Sequence, residues 1–119
     1  MLVIEDDPAL GALIAALCRL KQWNACCVTD GHAAIAALRR GNYDAIVLDL
    51  MLPRCNGFEV LAFLRAERPS LLKRVVVITA ASQRTLEAFD RAPIAALIHK
   101  PFELSDFLAA VDSAVSVEK

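Results

Sequence analysis

Five short apolar runs punctuate this chain at similar intervals, and patterns of helical spacing separate them. Runs of this length, rich in β-branched residues and alternating with helical segments, read as strands buried on both faces of a parallel sheet. Four of them end on a polar signal: Leu2-Val3-Ile4 on Glu5-Asp6-Asp7, Ala45-Ile46-Val47-Leu48 on Asp49, Val75-Val76-Val77-Ile78 on Thr79, and Ala96-Leu97-Ile98-His99 on Lys100. In an open parallel sheet the carboxyl ends of the strands share one edge, where ligands bind. Residues scattered along the whole chain are therefore expected to converge there as several carboxylates, a hydroxyl and an ammonium. That inventory suits a divalent cation with a phosphoryl group, and it makes Asp49 the central candidate.

The intervening segments supply the helices. Strand one spans about Leu2 to Glu5, after which Asp7 is placed as the N-cap of a helix with Pro8 in its first turn. Leu10, Leu13, Ile14 and Leu17 follow at helical spacing. A second strand, about Ala25 to Thr29, precedes a helix carrying Ile35 and Leu38 and closed by Gly41. Strand three ends at Asp49; Pro53 and Gly57 break the chain before a helix with Phe58, Leu61 and Leu64, which stops near Pro69. Strand four, Arg74 to Thr79, is followed by a short helix capped by Ser82 and running through Leu86 and Phe89. Strand five, about Ala95 to His99, leads to a last helix with Leu104, Phe107, Leu108, Val111 and Val115 on one face. The expected fold is α/β: a (βα)5, doubly wound, five-stranded parallel sheet with helices on both faces and right-handed crossovers.

At 119 residues, 57% of them hydrophobic, the chain reads as a single domain over residues 1–119 with a sizeable core. Thirteen basic against fourteen acidic side chains leave a net charge of −1, which offers no electrostatic footprint for direct nucleic-acid binding. No apolar stretch reaches the length of a membrane span, and the acids at Glu5 to Asp7 interrupt the N-terminus before a signal peptide could build up. A soluble, cytoplasmic protein is expected. The four cysteines, Cys18, Cys26, Cys27 and Cys55, lack metal-ligand spacing. Cys18 and the Cys26-Cys27 pair read as buried thiols acting as small hydrophobes, and Cys55 stands apart in the loop after Asp49.

Adjacent acids at the end of strand one repel unless a cation lies between them. A hard site of few carboxylates plus water suits magnesium. With Asp7 assigned to the helix cap, Glu5 and Asp6 remain for the metal. A carboxylate ending a wholly apolar strand requires a partner, and carboxylates act as phosphoryl acceptors through aspartyl-phosphates. Thr79 offers a short donor to a phosphoryl oxygen. Lys100 can neutralise phosphoryl charge at the same edge. Each residue also has a plainer reading: helix cap, turn cap, strand former, solvated lysine. Their occurrence in register on strands one, three, four and five favours a shared site.

With these motifs in view, the sequence resembles the receiver domain of bacterial two-component response regulators. The resemblance rests on Leu2-Val3-Ile4-Glu5-Asp6-Asp7-Pro8, Ile46 to Pro53, Gly57 to Leu61, Val77-Ile78-Thr79-Ala80 and Lys100-Pro101-Phe102. It implies a flavodoxin-like receiver fold in which Asp49 accepts a phosphoryl group from a phosphohistidine on a sensor histidine kinase or phosphotransfer protein. It further implies that Asp6, Asp49 and the Met51 carbonyl bind magnesium, with Glu5 holding it through water. Thr79 and Lys100 would contact the phosphoryl oxygens, and the Lys100–Pro101 bond would be cis. Such a domain is a switch rather than an enzyme, beyond magnesium-dependent self-phosphorylation and autodephosphorylation at the aspartate.

The chain departs from the family pattern in three places. Leu97 stands where the family usually has a ring, so the usual aromatic rotamer switch is not available. Ala92 to Ala96 replaces an acidic segment that serves dimerisation in the DNA-binding subfamily. The chain also starts almost on strand one and stops after the last helix, with no output domain in view. These departures keep open a second reading, a receiver-like interaction module that does not cycle phosphate. In either reading the apolar Ile94 to Leu97 segment, on the face of helix four, strand five and helix five, is a candidate homodimer or partner surface. A flavin binder would need a glycine- and hydroxyl-rich phosphate loop where this chain is acidic. A haloacid-dehalogenase-type phosphatase would need an aspartate at position 51, which is Met51.

Overall fold

A computed structural model describes residues 1–52, 54, 56–82, 84 and 93–117. Five parallel strands form one sheet in the order β2-β1-β3-β4-β5. They are β1 (Leu2–Ile4), β2 (Cys26–Val28), β3 (Ile46–Asp49), β4 (Val75–Thr79) and β5 (Ala96–His99). The helices are α1 (Pro8–Leu20), α2 (Gly31–Arg40), α3 (Gly57–Glu67) and the last helix, α4 (Leu104–Val115), with a 3-10 segment over Pro69–Arg74. The expected strands and these helices are all present, with strand ends trimmed by a residue. The expected Pro53 break, Cys55 and the helix through Leu86 and Phe89 lie outside the described residues.

Alternation along the strands builds two cores. Leu2, Ile4, Ile46, Leu48, Val75 and Val77 face α2 and α3. Val3, Val47, Val76 and Ile78 face Ile14 and Cys18 of α1 and Phe107, Val111 and Ala114 of α4. Both faces of the central strands are thus covered, which is why these strands read as unbroken apolar runs rather than as alternating ones.

The helix starts follow their caps. The Asp7 carboxylate accepts from Ala9 N–H at 2.9 Å, Asp30 caps α2 through Ala33 N–H at 2.8 Å, and Asn56 caps α3 through Glu59 N–H at 3.1 Å. At the other end of the sheet Arg74, 5% exposed, donates to the carbonyls of Asp44, Ala114 and Val117. One guanidinium thereby ties the entry to β3 to the carboxyl end of α4, where carbonyls lack helical partners.

The sequence expectations that fail here concern exposure. Cys26 and Cys27 are exposed, not buried; only Cys18 of the described thiols is in the core. The reason is position: β2 pairs with β1 alone and forms the sheet edge. Leu13 and Leu104 are also largely solvent-facing, at 43% and 44%, because α1 and α4 bury narrower stripes than their spacing suggests. Gly41 does end α2, but with extended backbone rather than in the left-handed region.

Candidate functional site

The strand order reverses direction between β1 and β3, and the carboxyl ends of these two strands flank the site. Glu5 follows β1 and is 4% exposed; Asp49 ends β3 and is 3% exposed. Lys100 follows β5, and its ammonium donates to Glu5 Oε1 and to Asp49 Oδ2, each at 2.9 Å. The remaining carboxylate oxygens are also engaged. Asp7 N–H donates to Glu5 Oε2 at 3.1 Å, and Met51 N–H to Asp49 Oδ1 at 2.9 Å. Two readings of Asp49 therefore hold together: one oxygen caps the following turn and the other takes the ammonium.

Asp6 is exposed, yet it can present a carboxylate oxygen in a group with those of Glu5 and Asp49, all within 4.8 Å of one another. Asp7 stays with the helix cap, as its spacing suggests. Thr79 ends β4, fully buried. Its backbone carbonyl accepts from Lys100 N–H at 2.8 Å, while its hydroxyl accepts from Ala81 N–H at 3.0 Å. Thr79 thus joins the site through the backbone, and its hydroxyl proton remains to be directed. The Lys100–Pro101 bond is cis. The Met51 side chain is exposed; its residue enters the site through the amide that holds Asp49.

The electrostatics follow from this packing. Burial pushes the Glu5 carboxyl above the ordinary glutamate range, a rise reinforced by the Asp49 charge and resisted by the hydrogen bonds from Lys100 and Asp7. Burial alone would lower the Lys100 ammonium, but its bonds to Glu5 and Asp49 outweigh that, and its pKa is raised. Three carboxylates around one ammonium leave a surplus of two negative charges. A small divalent cation with oxygen ligands matches that surplus in charge and in donor chemistry.

Two contributions escaped the sequence reading. Gly57 begins α3 so close to the end of β3 that an added Cβ would lie 2.4 Å from Leu50 Cα and 2.5 Å from the Asp49 carbonyl oxygen. In the sequence it reads as a loop breaker and as the first residue of a motif shared with the family, neither of which reveals this contact. His99, the last residue of β5, bonds the Ala81 carbonyl through Nε2 at 3.0 Å. No spacing rule would link those two positions.

Comparison with known proteins places this arrangement. The family model for the response regulator receiver domain matches residues 1–112. The chain belongs to the receiver domain family. This receiver is 40% identical over 116 residues to the transcriptional regulatory protein TcrA of Mycobacterium tuberculosis, an alignment covering 92% of the chain and 43% of TcrA. It is 32% identical over 113 residues to the transcriptional regulatory protein DltR of Streptococcus agalactiae, covering 93% of the chain and 49% of that protein. The receiver therefore spans less than half the length of these curated relatives.

Among solved structures, the receiver domain of the sensor histidine kinase PA1611 from Pseudomonas aeruginosa superposes with a TM-score of 0.85 at 26% identity, covering 98% of this chain and 96% of that one. That structure has a magnesium ion in its active-site cleft. The non-phosphorylated HemR receiver domain from Leptospira biflexa gives a TM-score of 0.83 at 28% identity, covering 99% and 94%. Among the described residues, no helix is long and apolar enough to cross a membrane.

Proposed function

We propose that this receiver, a single domain over residues 1–119, takes a phosphoryl group onto Asp49 from a phosphohistidine on a sensor histidine kinase or phosphotransfer protein. The observation that carries the proposal is the Lys100 ammonium bonded at 2.9 Å to both Glu5 and Asp49, beside Asp6 and at the sheet's reversal point. In the transfer, an Asp49 carboxylate oxygen attacks phosphorus, the phosphorus–nitrogen bond breaks, and the imidazole leaves with the electron pair. Such a loose transition state asks chiefly for positioning and charge neutralisation.

Glu5, Asp6, Asp49 and the Met51 carbonyl are proposed to hold magnesium, which when bound supplies positive charge against the incoming phosphoryl oxygens. The chain's own residues do the rest. Lys100 moves its hydrogen bond from the Asp49 carboxylate to a phosphoryl oxygen, the Met51 amide steadies the acceptor, and Thr79 turns its hydroxyl proton toward another phosphoryl oxygen. The added charge, close to two units near neutral pH, then biases the surface around β4 and β5. A cytoplasmic setting fits this chemistry, and the face of β5 and the last helix is the proposed partner or homodimer surface. No direct contact with nucleic acid is assigned to this domain, and no activity beyond self-phosphorylation and loss of its own phosphoryl group.

Intact-protein mass spectrometry after incubation with acetyl phosphate tests the assignment. The wild type should gain the mass of one phosphoryl group only with magnesium present, and Asp49→Asn should gain none. Loss of the magnesium dependence is expected for Asp6→Asn. Folded wild type that takes up nothing with magnesium would instead support the non-cycling interaction module, which Leu97 favours by packing as an aliphatic filler against the core below α2 and α3.

A further inference from the structure

Thr79 and His99 are direct partners in the pairing of β4 with β5. Paired residues of neighbouring strands project to the same face of the sheet, so the hydroxyl and the imidazole lie side by side. Both reach the same residue. The Thr79 hydroxyl accepts from Ala81 N–H at 3.0 Å, and His99 Nε2 lies 3.0 Å from the Ala81 carbonyl oxygen. A carbonyl has no proton to give, so Nε2–H is the donor. Ala81 itself is 6% exposed and borders a cavity of about 680 Å³ that Leu50, Met51 and Phe58 also line.

A hydroxyl has two lone pairs and a single proton. With one lone pair taken by Ala81 N–H, the threonine rotamer is held and its proton is directed elsewhere. The hold is only as firm as the Ala81 peptide, which sits in the loop just after β4. His99 secures the other side of that residue. We infer that His99 is a positioning residue for the phosphoacceptor site: by gripping the Ala81 carbonyl it fixes the Ala81 amide, and through it the direction in which Thr79 presents its hydroxyl.

This deepens the proposed phosphoacceptor reading and rests on it for its kinetic consequence, while the grip itself can be measured without any phosphoryl group. The two discriminating variants are His99→Phe, which keeps a ring but removes the donor, and His99→Gln, which keeps an N–H donor. Hydrogen exchange of the Ala81 amide by NMR, on unphosphorylated protein, should be several-fold faster in His99→Phe and near wild type in His99→Gln. Phosphoryl uptake from acetyl phosphate should slow roughly tenfold in His99→Phe, the scale of a small misplacement of a reacting group, and recover in His99→Gln. In a Thr79→Ala background the His99→Phe change should have no further effect, because His99 acts through that hydroxyl.

Unchanged Ala81 exchange in His99→Phe overturns the inference. So does a slowing of uptake that persists in the Thr79→Ala background. If the wild type takes up no phosphoryl group, the phosphoacceptor reading fails, and Ala81 exchange alone decides whether the grip exists.

Discussion

Lys100 sets the charge balance between two carboxylates that have almost no access to water. Replacing it with methionine leaves both without a cation, a loss of about 3 kcal/mol of stability at neutral pH when no divalent ion is present. The pH dependence follows from the two raised values. The folded pKa of Lys100 exceeds its unfolded one, so its contribution is complete below the unfolded ammonium value, about 10.4, and disappears as pH rises through the folded value. The folded pKa of Glu5 is also raised, chiefly by burial; between its unfolded and folded values the native state binds more protons, so acidification through that window favours folding. Lys100→Met removes the bond that holds this value down, and its window widens. Urea midpoints should therefore show the largest gap between wild type and Lys100→Met near neutrality, narrowing toward both acid and strong alkali; a gap independent of pH would contradict this account. Glu5, Asp49 and Lys100 could be found in the sequence because a charge that ends a buried strand demands a partner. His99 could not, because its importance depends on which loop carbonyl lies beside the last residue of β5.

At the level of elements, the start of α3 packs directly against the end of β3. Gly57 N–H donates to the Leu50 carbonyl at 3.0 Å, and the absent side chain is what allows the helix to start there. Gly57→Ala should push α3 outward, cost about 2 kcal/mol, and slow phosphoryl uptake at Asp49 by disturbing its carbonyl. A thermal midpoint and an uptake rate both equal to wild type would show that the backbone absorbs the methyl without strain. Helix and strand types were legible because their periodicities differ and because Asp7-Pro8 stands at the first helix start; the caps Asp30 and Asn56 became evident only from the hydrogen bonds they accept. Exposure was less legible. Cys26 and Cys27 look like core residues in a one-dimensional pattern, and only the pairing order reveals that their strand has a neighbour on one side.

For the molecule as a whole, the parallel, doubly wound character of the sheet was inferable from the alternation of elements and the crossover rule. The strand order came from the pairing itself, and the two cores then follow from strand parity. The same architecture makes the site an independent lever on global stability, since it gathers its candidate metal-binding carboxylates from the ends of β1 and β3. Magnesium that binds only the folded form should stabilise it by about 1.4 kcal/mol at ten times its dissociation constant. The urea midpoint should rise with magnesium and not with sodium at equal ionic strength, and the rise should shrink in Asp6→Asn. No magnesium-specific shift would remove the cation from the proposed mechanism.

The ion pair between Glu5 and Lys100 joins residues 95 positions apart, and this separation has a bearing on biosynthesis. A ribosome releases the acidic end of the molecule long before it has translated the lysine. Until the final strand docks, the two carboxylates have no ammonium between them and stay hydrated. The proposed site is therefore incomplete until β5 docks, and a copy terminated before Lys100 would carry Asp49 without the ammonium that bonds it.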